Sequence, residues 1–103
     1  MTKLLPVFLD LSGQRVLLVG GRASALEKLQ KLAPTGATIT VVARHISDAT
    51  VTHANQYANV RVVKREWSAD DLVGVKFIVS AVDDIEEHKR LAAAARSAGI
   101  LTV

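Results

Sequence analysis

The sequence predicts an α/β fold, a doubly wound parallel sheet of five strands in the spatial order 3-2-1-4-5. Three observations predict it. Short β-branched apolar runs alternate with segments of helical period along the chain. Several of those runs are almost continuously apolar, the pattern of strands covered on both faces. And "VLLVGGRASALEKL" (16–29) is a strand that breaks at glycines and opens a helix, the unit that right-handed crossovers repeat.

The elements follow in order. "RVLLVG" (15–20) is the first strand. Ser24-x-x-Glu27 reads as a capping box for the helix after it, with Ala25, Leu29, Leu32 and Ala33 on one face and Pro34 and Gly36 as its stop. "TITVVA" (38–43) is the second strand, and residues 47–56 carry a weaker helical signal. "VRVV" (60–63) is the third, and Ser68 to Leu72 suggest a single helical turn. "KFIVSA" (76–81) is the fourth. Asp84-x-x-Glu87 starts the last helix, placing Ile85, His88, Ala92 and Ala95 on one stripe and Gly99 just past its end. "ILTV" (100–103) is the fifth strand.

Composition narrows the function classes. At 103 residues, half of them apolar, residues 1–103 are read as one domain with one core. The formal charge is +3, but the 13 Lys and Arg form no block longer than a pair, and aromatics are 4% of the chain. Nucleic-acid surfaces concentrate both, so no nucleic-acid partner is expected. The absence of cysteine removes disulfides and thiolate metal sites and agrees with a reducing, cytoplasmic setting. The first apolar stretch is broken by Pro6 and Asp10, so neither a leader nor a membrane span is expected. His45, His53 and His88 show no metal-binding spacing, so no metal is expected.

In doubly wound sheets ligands lie beyond the carboxyl ends of the strands, where strand order reverses. Three segments therefore form the expected site: Gly20–Ser24, Ala43-Arg44-His45, and Ala81-Val82-Asp83. Against G-x-G-x-x-G/A, Gly20 and Ala25 occupy the first and third slots while Arg22 occupies the second. A glycine there lets backbone approach a pyrophosphate, so Arg22 either obstructs that approach or replaces it by pairing with phosphate. The simpler alternative is that Gly20-Gly21 only makes a tight turn. The second strand ends in Arg44 rather than in the acid that accepts ribose hydroxyls. Arg44 then either favours a 2′-phosphate, hence NADP, or is an ordinary solvated arginine. Asp83-Asp84 read either as a proton-transfer pair or, for Asp84, as a helix cap. His88 on its apolar stripe reads as a packed or half-buried histidine, and Trp67 and Tyr57 as packing residues.

With these residues in view, the chain resembles the precorrin-2 dehydrogenase/sirohydrochlorin ferrochelatase family, the N-terminal NAD-binding module of siroheme synthase. Leu5-Pro6, Gly20-Gly21, Ala25, Lys28, Gly36-Ala37 and Val41-Val42-Ala43 stand where that family has its opening motifs. Arg65-x-Trp67, Asp71-Leu72 and the segment 77–101 match its later ones, in order. The resemblance implies a Rossmann-like NAD(P)-binding domain, NAD as cofactor with NADP open, and a tetrapyrrole substrate. It implies oxidation of precorrin-2 to sirohydrochlorin, with iron insertion in several members, and a homo-oligomer. It places the cofactor against Ala23 and Ser24 and against Arg44 and His45, the pyrophosphate within Gly20, Gly21 and Arg22, and the nicotinamide near Ala81 and Val82.

The chain departs from the family at Arg22, where a third glycine is usual, and at His88, where asparagine is usual. The family's dimerisation region and the aspartate held to serve both reactions lie beyond position 103, so no catalytic residue is assigned. Two readings stand. One is the cofactor domain of a precorrin-2 dehydrogenase; the other is a non-catalytic nucleotide-binding or self-association module.

Overall fold

The structure, a computed structural model, describes residues 2–103. Five strands form one sheet in the order β3-β2-β1-β4-β5, every neighbouring pair parallel. They are β1 (Arg15–Val19), β2 (Thr38–Ala43), β3 (Val60–Lys64), β4 (Phe77–Ser80) and β5 (Leu101–Thr102). The helices are α1 (Ala23–Leu32), α2 (Asp48–Ala54) and α3 (Ile85–Ser97), with 3₁₀ turns at Ala33–Thr35 and Ala69–Leu72. The expected class and strand order are those observed.

β1 shows why the order holds. Val16 and Leu18 point into one core layer with Ala25, Leu29, Ile39 and Val41; Leu17 and Val19 point into the other with Val42, Ile78, Leu91 and Ala95. These four of the five β1 side chains are fully buried, so the strand must be central and sheathed on both faces, the situation of a parallel sheet. Burying each stabilises the fold by roughly 1.5–3 kcal/mol. The register Val19↔Val42 and Val19↔Ser80 then brings the ends of β2, β1 and β4 level. That shared edge positions the site.

Two local expectations are corrected. Ser24 is not the cap of α1: the helix begins at Ala23 and Arg22 stands in the cap position. The Gly20-Gly21 turn starts the helical winding before Ser24 can act. Ile85 is exposed, and the buried stripe of α3 is Leu91 and Ala95. The first turn of α3 lies at the rim beyond the strand ends, where there is no sheet to cover it. The stripe predicted for α1 is as expected, with Ala25, Leu29, Leu32 and Ala33 buried.

Candidate functional site

A cavity of about 830 Å³ opens at the carboxyl ends of β1, β2 and β4, where the strand order reverses. Its size falls within the roughly 300–1,000 Å³ of small-molecule and cofactor sites. Eight of the ten residues expected from sequence line it: Gly20, Gly21, Arg22, Ala43, Arg44, His45, Ala81 and Val82. Ala23 and Ser24 stand in the exposed first turn of α1, outside that lining.

The glycines in the β1–α1 loop are explained by neighbouring backbone. Gly20 has φ +136°, and a Cβ there would stand 2.5 Å from the Ala81 carbonyl oxygen. A Cβ on Gly21 would overlap the His45 carbonyl and the Ile46 backbone. Hydrogen bonds hold the same approach: Gly20 N–H donates to Val42 O at 3.1 Å, and Gly21 O accepts from Ser47 N–H at 2.7 Å. The tight-turn reading is thus correct as far as it goes, and the turn draws the three strand ends together around one cleft. Arg22, in contrast, has φ −105° and ψ −157°, extended backbone open to any residue. Nothing in the loop's conformation asks for the third glycine.

The helix that follows begins without a side-chain cap and without an acid in its first turn. Ser47 caps α2 by accepting from Thr50 N–H, and Asp84 caps α3 by accepting from Glu86 N–H. The start of α1 thus borders the cleft at Arg22 with no side chain capping its first amides, and a helix start of this kind favours an anion. Asp84 takes the capping role over the proton-transfer one.

Beyond the end of β2, sequence reading missed the group that organises the wall. Glu66, exposed between β3 and the second 3₁₀ turn, accepts from Arg44 at 3.1 Å and from Arg90 at 3.0 Å. The Arg90 and Arg44 guanidiniums hold its carboxyl below the usual carboxylate range. Arg90 also lies 5.0 Å above the ring of Trp67, whose buried side chain packs against Leu17, Val19 and Val42. Only Arg65-x-Trp67 hinted at this cluster, because its members come from three separate parts of the chain. The opposite wall is acidic, with Asp83, Asp84, Glu86 and Glu87 at the start of α3.

His88 is corrected from the packed reading: it is exposed, and its Nδ1 shares a 2.8 Å hydrogen bond with Ser80 Oγ at the end of β4. His45 lines the cleft, and His53 packs beside Tyr57 with ring centroids 5.4 Å apart. Among the described residues no group of three or more His, Cys, Asp or Glu could hold a metal ion. No helix among them is long and apolar enough to cross a membrane.

The donor set suits a dinucleotide. Uncapped amides and Arg22 and Arg44 can meet phosphates, Val19, Ala43, Ala81 and Val82 supply apolar floor, and the acidic wall can face a cationic ring. A doubly wound sheet with this cleft at its switch point defines a nucleotide-binding domain. The family model described as "Putative NAD(P)-binding" matches residues 7–103, and the chain belongs to that family.

Within it, the likeness is to the NAD-binding module of siroheme synthases and precorrin-2 dehydrogenases. A siroheme synthase of Pseudomonas putida (strain W619) is 40% identical over 80 residues, 78% of this chain and 17% of the relative. The precorrin-2 dehydrogenase of Priestia megaterium is 38% identical over 83 residues, 81% of this chain and 41% of the relative. Among solved structures, "SirC, precorrin-2 dehydrogenase" superposes with a TM-score of 0.74 at 31% identity, covering 96% of this chain and 48% of that one. The chain thus spans less than half the length of each of these relatives.

Proposed function

We propose that the cleft holds a nicotinamide dinucleotide and that the chain serves as the cofactor domain for oxidation of precorrin-2 to sirohydrochlorin. The observation that carries the reading is the uncapped start of α1, whose cap-position residue Arg22 lines the cleft. The pyrophosphate lies against Gly20, Gly21 and Arg22 and the first-turn amides of Ala23 and Ser24. The adenosine lies toward Ala43, Arg44 and His45, and the nicotinamide toward Ala81 and Val82. When bound, that ring supplies hydride acceptance. The residues of this chain position it and shield it from water; none is assigned an acid–base role. The tetrapyrrole substrate, a homo-oligomeric state and a cytoplasmic location belong to the same reading. Iron insertion is assigned to no residue of this chain.

Calorimetric titration of the purified chain with NAD and NADP in parallel tests the reading. Saturable one-to-one binding of at least one of them is expected. Absence of binding by both at millimolar concentration overturns it.

A further inference from the structure

Beside the main cleft lies a second cavity of about 320 Å³, lined by Arg22, Arg44, His45, Ile46, Ser47 and Lys64. It shares Arg22, Arg44 and His45 with the larger one, so the two meet at the end of β2. No carboxylate lines it, whereas the larger cleft is lined by five. Lys64 reaches it because β3 pairs with β2 in the register Ala43↔Lys64, which sets the lysine beside the last residue of β2. Among the described residues, neither Arg22 nor Lys64 takes part in an ion pair. The ion pair of Arg44 is with Glu66, a residue of the larger cleft. Three fixed cations and an imidazole thus converge on a concave space that offers them no counter-ion.

We propose that this cavity is a phosphate-monoester subsite, which makes the protein prefer a dinucleotide phosphorylated on its adenosine ribose, NADP, over NAD. The proposal rests on the dinucleotide reading above and deepens it. In a doubly wound sheet the residue after the second strand meets the adenosine ribose, an acid there accepting the 2′-hydroxyl and an arginine accommodating a 2′-phosphate. Here that residue is Arg44, and the carboxylate in its neighbourhood, Glu66, is occupied by two arginines. Planar guanidiniums suit a phosphate as bidentate donors, and Lys64 adds a point charge. Arg22, an oddity if the loop had only a pyrophosphate to cradle, stands between both cavities and can serve the monoester.

The test is the ratio of dissociation constants for NAD and NADP, read by calorimetry on the parent chain and on Lys64→Ala, Arg22→Gly and Arg44→Asp. The parent is expected to bind NADP at least tenfold tighter. Lys64→Ala is expected to lower that preference about tenfold, the scale of one charged hydrogen bond. Arg22→Gly should lower it too, and Arg44→Asp should reverse it. Inorganic phosphate should compete more strongly with NADP than with NAD. Thermal melts of each variant show whether it is folded. NAD binding as tight as NADP, or a preference indifferent to Lys64→Ala, overturns the subsite and leaves the dinucleotide reading standing. Binding of neither dinucleotide overturns both.

Discussion

The two walls of the cleft start their helices in opposite ways. At α1 the cap position is an arginine whose side chain caps nothing, and no acid occupies the first turn. At α3 Asp84 closes the first amides on itself, and Glu86 and Glu87 follow. One wall leaves its amides and cations free; the other has satisfied its amides and presents surplus negative charge. A dinucleotide is polar in the same sense, with anionic phosphates at one part and, when oxidised, a cationic ring at the other. On the proposed reading, the difference between the walls sets a direction for the ligand as well as a place for it.

The largest expected effect comes from breaking the frame of the basic wall. Gly21→Ala drives a Cβ into the backbone of His45 and Ile46, where neither neighbour is a flexible side-chain end. Overpacking of this kind costs about 1–3 kcal/mol or more, and a lowered melting temperature with loss of dinucleotide binding is expected. Arg22→Ala, at an exposed site of ordinary backbone, should leave the melting temperature within the error of the measurement. If the two variants melt alike, the glycine is not what holds this wall.

Next comes the support beneath Glu66 and Trp67. Asp71 accepts from both Arg65 guanidinium nitrogens, at 2.8 and 2.6 Å, and from Ser68 N–H at 2.8 Å. The Arg65 guanidinium foremost, with the Ser68 N–H, holds its carboxyl below the usual range. Because the folded value is depressed, the stabilisation is complete above the ordinary carboxylate range and is lost as pH falls through the folded value. Asp71→Asn should cost about 1–2 kcal/mol at pH 7, after allowance for the solvent around Arg65. Melting curves from pH 7 to pH 3 should show the gap to the parent closing only at the acid end. A gap that is constant with pH would remove the ionic part of the account.

The smallest effect belongs to the acidic wall. Asp83→Asn removes one exposed charge near the expected ring site, and exposed charges interact weakly across water. The affinity for oxidised cofactor should fall about two- to threefold relative to reduced cofactor. Equal change in both would show that the wall acts by shape alone.

Much of this was legible in the residues. Strand positions and order followed from the apolar runs, since a strand buried on both faces cannot hide its composition. The cleft followed from topology, which names strand ends before any side chain is placed. The start of α1 did not: Ser24-x-x-Glu27 satisfies the capping pattern, but Gly20 and Gly21 turn the chain early. Glu66 could not be found by spacing, because it meets Arg44 and Arg90 from 22 and 24 residues away. Lys64 was hidden in the same way, reaching the second cavity through strand register. Ile85 matched a helical stripe whose first turn the sheet does not extend to meet.

The hydrogen bonds from Gly20 to Val42 and from Ser47 to Gly21 carry a consequence for how binding is driven. A phosphate loop that is ordered only by its ligand gives up backbone entropy on association, about 1–2 kcal/mol for each residue fixed. This loop is already pinned at both glycines, so that loss is taken during folding and affinity keeps what its contacts provide. The amides of Gly20 and Ser47 should then exchange with deuterium as slowly as those of β1 before any dinucleotide is added. Saturation with ligand should add protection chiefly at Ala23 and Ser24, the amides that the fold itself leaves open.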